Sequence, residues 1–510
     1  MVTEINLKDR WGWFNIETDD WCLHNYKLVR KDKVMSRKWS YKERKIVNEV
    51  EEVESTYYEW ETETGFAFRY TQFPIVLNEY VKLGVISVNQ CLEALKEFEV
   101  PNLPEIPRSL GEMTMRDDQM EVLNKLMTKR FGLCHVCTGF GKTEMIAFMC
   151  YFYTKVMNWN VLVTSPNAKV LDEIVNRVNS RLGIQIGVNY PNDSGVLAIN
   201  AASVSKQKYN HHNYSDYLST IKVVLADEAE ACLSPTHHQI YDYCKNRECM
   251  YGFSATPDCY CGKLDVHNGV TEASFRSKHL LNTFGGSLVN IVPEGFDIDI
   301  IDVNVDWWES KSEELRKLKD KFDQEKDPSI LPVNFRTMVD NDIFMQPEFA
   351  KLLGKLSEKY TNLLVTINRT EIIDYWVDQL PEYKIIEVSG RGYRLRYQGE
   401  IKNISIDDLK SMYTEVSLIL GSKSLMRGVD LPELVNSVQL SGKSAGTTIQ
   451  SVGRTARKKR MRILFINPDR PIFGYMSQNA ERKKLIRMQY PSELNSIKYL
   501  EDNSYRFNIN

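Results

Sequence analysis

The run Phe131-Gly132-Leu133-Cys134-His135-Val136 leads directly into Cys137-Thr138-Gly139-Phe140-Gly141-Lys142-Thr143, and from there into Met145-Ile146-Ala147-Phe148-Met149-Cys150. The first segment is a short apolar run of the kind that forms a buried strand, and the last reads as the opening turns of a buried helix. A strand, a glycine-containing turn and a helix that opens with Lys-Thr form a cradle for a nucleotide phosphate. The turn's N–H groups and the helix N-terminus face the anion, Lys142 neutralises it, and the Thr143 hydroxyl is placed to ligate Mg²⁺. The usual pattern of such a loop carries a further glycine where this chain has Val136, so the close backbone approach falls to Gly139 and Gly141. Thr138 and Phe140 complete the loop.

At 510 residues the chain exceeds a single core and implies two to four domains. Its 43 % apolar and 26 % charged residues describe an ordinary globular protein. With a net charge of −3, any affinity for nucleic acid has to come from local basic faces. The first eight residues, Met1-Val2-Thr3-Glu4-Ile5-Asn6-Leu7-Lys8, lack the basic-then-apolar order of a signal peptide. The longest apolar run, Met145 to Tyr153, is far shorter than the ~20 residues of a membrane span. The expected compartment is therefore the cytosol, with no membrane partner. Ten cysteines in this length do not make a disulfide scaffold, and the spacing of Cys244, Cys249, Cys259 and Cys261 fits no standard zinc pattern.

Residues 1–105 form one expected region, a small α+β accessory domain rich in aromatic and charged residues, such as Trp11, Trp13, Trp21, Trp39 and Trp60. Tyr57 to Thr62 and Phe66 to Tyr70 predict a hairpin turning near Gly65, and 75–98 predict helix. Pro101, Pro104 and Pro107 make a stiff, extended linker at the end of this region. Aromatics mixed with Lys and Arg can stack on bases, although most aromatics in a region this small build its core.

Beyond the linker the chain alternates strand and helix. Val161-Leu162-Val163, Val196 to Ile199, Val223-Val224-Leu225 and Met250 to Phe253 are strand-like, with helical spacing between, as in Val170 to Val178. A second series comes after Pro293, with strands expected at Leu363 to Ile367, Ile385 to Val388, Val416 to Leu420, Val438 to Leu440 and Ile463 to Ile466. The expected fold class is α/β: two tandem lobes of parallel sheet flanked by helices, at 106–290 and 291–470. The tail, 471–510, carries the basic stretch Arg482-Lys483-Lys484-Leu485-Ile486-Arg487, expected as a solvated helix face on a tail packed against the second lobe.

Two further stretches complete a chemical site. Asp227-Glu228-Ala229-Glu230 directly succeeds the strand Val223 to Ala226. There Asp227 can hold Mg²⁺ through its water shell, and Glu228 can orient the water that attacks a γ-phosphate. In the second lobe, Gln450-Ser451-Val452-Gly453-Arg454-Thr455-Ala456-Arg457 places Arg454 and Arg457 three apart, on one face if helical. Guanidinium forks suit a transferring phosphoryl group. A P-loop in one lobe and an arginine pair in the other means that nucleotide binding would draw the lobes together and hydrolysis would release them.

In this order the motifs resemble those of the superfamily 2 helicases and translocases, whose two lobes are RecA-like, and within them the phage recombination and branch-migration helicases of the UvsW kind. The helicase parts of excision-repair and type I or III restriction enzymes are similar too. The resemblance spans about 111–470. It implies that Arg116 and Gln119 belong to an element that recognises adenine, with Gln450 also on the nucleotide. It implies nucleic-acid contacts at Thr164, Ser165, Pro166 and Asn167, at Ser203, Ser205 and Lys206, at Asn368, and at Ser422 and Lys423. Ser254 and Thr256 in Ser254-Ala255-Thr256-Pro257, together with Gly428 and Asp430, would couple the ATP and nucleic-acid sites. Glu230 departs from the His or Asp of many relatives, which puts that position's link to the second lobe in question.

The expected activity is ATP- and Mg²⁺-dependent DNA unwinding, translocation or branch migration in replication, recombination or repair. DNA forks, branches and single-strand/duplex junctions are the expected partners, with other replication or recombination proteins beside them. An RNA helicase, an inactive nucleic-acid-binding scaffold and the motor subunit of a restriction or nuclease complex are the alternatives.

Overall fold

The computed structural model describes the backbone of residues 2–7, 13–18, 29–40, 45–56, 58–61, 65–137, 139–166, 168–200, 211–255, 280–291, 297–305, 317, 340–341, 343–367, 369–421, 431, 434–440, 460–468, 479–480, 482–483, 486–487 and 497–504. The chain divides into two units, Met1–Lys38 with Val47–Ile291, and Trp39–Ile46 with Val292–Asn510. The fold class matches the expectation: two parallel-dominated sheets flanked by helices, in the manner of RecA-like lobes. Among the described residues no helix is long and apolar enough to cross a membrane.

The main sheet of the first unit has seven described strands: β1 (Phe131–Val136), β2 (Asn160–Ser165), β3 (Gly187–Val188), β4 (Val196–Asn200), β5 (Ile221–Asp227), β6 (Cys249–Ser254) and β7 (Ser287–Ile291). They lie in the order β3-β4-β2-β5-β6-β1-β7, and every pairing is parallel. All six residues of β1 are buried, as expected for a central strand covered on both faces. Helix α1 (Asp117–Met127) precedes β1, and α2 (Lys142–Tyr151) comes after it. Met145 to Cys150 are fully buried on every side of α2, which explains why that stretch is apolar without a period. The P-loop thus stands at the C-terminal end of β1, with β6 and β7 on either side and β5 beyond β6.

The N-terminal hairpin is present, with Tyr58–Glu61 antiparallel to Gly65–Arg69. The helical expectation over 75–98 resolves into two helices, Phe73–Lys82 and Val88–Leu95. Gly84, at φ +73°, ends the first, and Ser87 caps the second by accepting a hydrogen bond from the Gln90 N–H. From residue 66 onward this region shares a core with the first sheet. Tyr70, Phe73 and Phe98 stack and meet Phe131 of β1 at ring distances of 4.6–5.4 Å where they touch directly. The Arg130 N–H and guanidinium donate to the carbonyls of Phe98 and Glu97, and the Gln72 amide donates to Asn282 at 2.6 Å.

The second unit holds nine described strands: β8 (Asp297–Val305), β9 (Leu363–Thr366), β10 (Ile385–Ser389), β11 (Gly392–Tyr397), β12 (Glu400–Ile404), β13 (Leu418–Gly421), β14 (Asn436–Gln439), β15 (Arg460–Pro468) and β16 (Ile497–Asp502). Their order is β12-β11-β10-β13-β9-β14-β15-β8-β16. The antiparallel hairpin β11–β12 is an addition to the strands expected from the sequence. It turns at Gln398-Gly399, both at positive φ, and is pinned by Arg396, which spans Asp374 at 3.2 Å and the fully buried Glu387 at 3.0 Å.

The tail corrects one expectation. Arg482 and Ile486 are completely buried, not solvated. The Arg482 guanidinium donates to the carbonyls of Gln439 and Leu440 and to Asn479 at 2.9–3.1 Å. These carbonyls stand where β14 ends, so a charged fork is retained in the core to satisfy them.

Candidate active site

The P-loop turn is shaped by Gly139 at φ +92° and Gly141 at φ +100°. Gly141 is the N-cap of α2, whose first residue is Lys142. No side chain caps the helix, which leaves its first N–H groups to an anion. A Cβ on Gly141 would sit 2.5 Å from Gln119 Nε2, so glycine is required by sterics as well as by φ.

Arg116 and Gln119 have a role that motif reading did not anticipate. The Phe140 carbonyl accepts from Gln119 Nε2 at 3.0 Å and from Arg116 Nη2 at 2.8 Å. The Arg116 guanidinium also lies 5.5 Å from the Phe140 ring centroid. Gln119 is buried, and its carbonyl oxygen accepts from the Arg116 N–H at 3.2 Å. Both residues therefore brace the loop from beneath. The only signal for this in the sequence is the placement of α1 immediately before β1.

β5 delivers Asp227, and the next residue, Glu228, turns into the left-handed region at φ +50°. A non-glycine residue held there costs of the order of 1–3 kcal/mol and is characteristic of functional turns. Lys142 Nζ faces Glu228 Oε1 at 3.7 Å, both side chains being largely buried. Asp227 is buried, and its Oδ1 has no hydrogen-bond partner. Burial pushes its carboxyl up to about 6, with Lys142 pulling it back down and Glu228 raising it further. A buried carboxylate oxygen without a partner, beside a lysine and a phosphate cradle, fits a hard cation. Among the described residues no cluster of three or more acidic, His or Cys side chains is built to hold a metal.

Glu230 is also buried. Its carboxyl is raised to about 8, first by burial and then by Glu228, with which it shares a hydrogen bond, while a bond to Ser254 works the other way. The partners of this unusual position thus include Glu228 and Ser254 of the same lobe. His135 of β1 ties in the same strand end, its Nε2 lying 3.1 Å from the Ala255 carbonyl.

The nucleic-acid residues are placed less simply. Thr164 and Ser165, expected at the nucleic acid, have fully buried side chains, and Pro166, at the exit of β2, is half-buried. Thr143 is half-buried at the start of α2. Thr138, Asn167, Ser203, Ser205, Lys206, Thr256, Asn368, Ser422, Lys423, Gly428, Asp430, Gln450, Arg454 and Arg457 lie outside the described residues, as do Cys259 and Cys261. A polar cavity of about 360 Å³, lined by Lys155, Trp159 and Tyr217 among others, lies at the N-terminal ends of β2 and β4 and so takes no part in this site.

Residues 112–259 match the family model described as type III restriction enzyme, res subunit, a span that includes the P-loop, Asp227-Glu228 and Ser254. No curated protein sequence matches the chain. Among solved structures, the chain is similar to T4 UvsW at 14 % identity, with 98 % of each chain covered and a TM-score of 0.38. It is similar to S. cerevisiae Dbp5 bound to RNA and ADP BeF3 at 12 % identity, covering 76 % of this chain and 90 % of that one, with a TM-score of 0.47. The Mycobacterium smegmatis helicase Lhr bound to ssDNA and AMP-PNP gives 15 % identity, 73 % and 47 % coverage and a TM-score of 0.44. The phosphate loop, the acidic strand end and Ser254 all fall within the one segment that matches the res-subunit family model.

Proposed function

We propose that this protein is an ATP-dependent DNA helicase or translocase that unwinds or branch-migrates DNA in recombination, repair or replication. The observation that carries the reading is the facing of Lys142 and Glu228 at 3.7 Å beside Asp227, whose buried Oδ1 has no partner. The loop amides and Lys142 bind the β- and γ-phosphates, and Arg116 and Gln119 hold the loop in the form that does so. Thr143 and Asp227 would hold Mg²⁺, which would offset charge on the phosphate oxygens. Glu228 orients the attacking water and accepts its proton. Arg454 and Arg457 of the second lobe stabilise the charge that develops on the γ-phosphoryl group, with Gln450 beside them. In this reading 106–290 and 291–470 are the motor lobes, 1–105 an accessory region and 471–510 a tail belonging to the second lobe. Contacts with the nucleic-acid backbone come from the ends of β2 and the 203–206 and 422–423 segments, and are largely sequence-neutral. The preference for DNA over RNA rests on the motif resemblance to UvsW-like helicases.

The test is ATP hydrolysis by the whole chain with single-stranded DNA, forked DNA and RNA added in parallel, alongside Lys142→Ala. Hydrolysis stimulated by DNA and lost in the variant is the expected result. Stimulation by RNA alone would replace the substrate, and substantial hydrolysis by Lys142→Ala would remove the site assignment.

A further inference from the structure

Thr164 closes β2 with its hydroxyl turned into the core, 3.0 Å from Tyr241 Oη. Tyr241 stands on α4 (Pro235–Tyr243), with α3 (Ala168–Leu182) the helix that comes after β2. The phenol hydroxyl donates to the Cys232 carbonyl at 3.4 Å, and the Cys232 thiol donates to the Asp227 carbonyl at 3.3 Å. Each of these groups has one hydrogen to give. The contacts therefore form one directed chain: Thr164 hydroxyl to Tyr241 oxygen, Tyr241 hydroxyl to Cys232 carbonyl, Cys232 thiol to Asp227 carbonyl. All four residues are buried, and the Tyr241 ring is fixed edge-on against Phe284 at 6.1 Å. β2 and β5 are neighbours, with Thr164 opposite Ala226, so the two strand ends joined by this chain lie side by side.

Such a chain matters in a motor whose hydrolysis responds to its track. The turn after Thr164 leads into α3, whose first N–H groups favour a phosphate. The turn after Asp227 carries Glu228 in its constrained left-handed conformation. A displacement of the β2 end on binding a nucleic-acid backbone moves the Thr164 hydroxyl. Tyr241 cannot follow by rotating, because its ring is packed and its oxygen bridges both sides. The Cys232 carbonyl, and with it the 228–232 turn, is drawn along.

We propose that Tyr241 is a positioning residue which couples nucleic acid at the end of β2 to the placement of Asp227 and Glu228. The proposal rests on the motor reading of the ATP site. A buried hydroxyl that only satisfied its neighbours would contribute to stability alone; a coupling residue also sets the ratio of stimulated to basal hydrolysis.

The experiment uses the full chain as wild type, Tyr241→Phe, Thr164→Val, Thr164→Ser and the double variant Thr164→Val with Tyr241→Phe. ATP hydrolysis is measured at saturating Mg²⁺ with no nucleic acid, with oligo(dT) and with oligo(U), and each variant's thermal melt is recorded. Tyr241→Phe is expected to keep the basal rate and to lose stimulation by about fivefold to tenfold, the lower range of coupling between sites. Thr164→Ser retains stimulation because it retains the hydroxyl. The double variant loses no more than either single change, since both break the same chain. Stimulation of Tyr241→Phe equal to wild type overturns the proposal. So do equal losses of basal and stimulated rates with a lowered melting temperature, or losses that add in the double variant. A wild-type chain stimulated by neither strand overturns the motor reading and this proposal with it, whereas the other results leave the motor reading standing.

Discussion

Gly141→Ala strikes the phosphate loop at its tightest point, and its cost can be worked from two separate sources. The backbone at Gly141 has φ +100° and ψ +37°, a region that costs an L-residue about 1–2 kcal/mol. The added Cβ would lie 2.5 Å from Gln119 Nε2. That atom is the end of a flexible side chain, but it is buried and donates to the Phe140 carbonyl, so it gives way only by releasing that bond. A buried group left unpaired costs about 1–3 kcal/mol, which brings the whole to about 2–5 kcal/mol. At about 2 °C per kcal/mol for a lobe of this size, the first unit should melt about 4–10 °C earlier. Gly84→Ala is the control: it has φ +73° with no atom within 4 Å of the new Cβ, and so bears the backbone cost alone. Melts are run with and without Mg²⁺ and a non-hydrolysable ATP analogue. At a hundredfold excess over Kd, wild type should gain about 2.7 kcal/mol, and Gly141→Ala should gain far less because its loop amides are displaced. A Gly141→Ala protein that melts with the Gly84→Ala control, or gains as much from the analogue as wild type, would refute the reasoning.

Lys142→Ala should leave the melt close to wild type, since the Lys142–Glu228 pair is not required by the core, while abolishing nucleic-acid-stimulated phosphate release. Glu230 keeps its proton in the folded chain up to about pH 8, while the unfolded chain releases it near the ordinary 4.5. The folded state therefore binds the extra proton between those values, and the stability linked to it, full below pH 4.5, is lost as the pH rises toward 8. Glu230→Gln has no such proton to lose, so its advantage in Tm over wild type should grow between pH 5 and 8; paired melts that show a constant difference would contradict the assignment. Arg482→Ala removes the buried hydrogen bonds that its guanidinium gives to the Gln439 and Leu440 carbonyls and to Asn479. It should cost the second unit about 3 kcal/mol or more, whereas Arg487→Ala, on the exposed side of the same stretch, should stay within about 0.5 kcal/mol in denaturant melts.

The chemistry of the ATP site was legible because it is written locally. Phe131 to Val136 is apolar apart from His135 because it is a central strand, and Lys142-Thr143 comes after two glycines because only glycine tolerates the φ values that aim the loop amides. Asp227 and Glu228 stand at a strand exit that hydrophobicity alone marks. The alternation of strands and helices likewise arises from short-range periodicity. The hairpin at 392–404 could have been read from the alternation of Arg394 and Arg396 with Tyr393, Leu395 and Tyr397 and from the Gln398-Gly399 turn.

What sequence could not supply is which polar groups are turned inward, because that depends on elements far apart in the chain meeting across a core. Arg482 reads as one of a basic run, yet it is buried because the end of β14 presents two carbonyls that need a donor. Thr164 reads as a nucleic-acid contact, yet its hydroxyl faces Tyr241, 77 residues further along. Arg116 and Gln119 were legible as nucleotide-site residues, but only the packing of α1 beneath the loop gives them the Phe140 carbonyl as a partner. Composition and spacing determined that this chain carries a phosphate cradle and an acidic strand end in a parallel sheet. The tertiary structure decided which hydrogen bonds hold them in place, because a buried donor or acceptor must find its partner wherever the fold brings one.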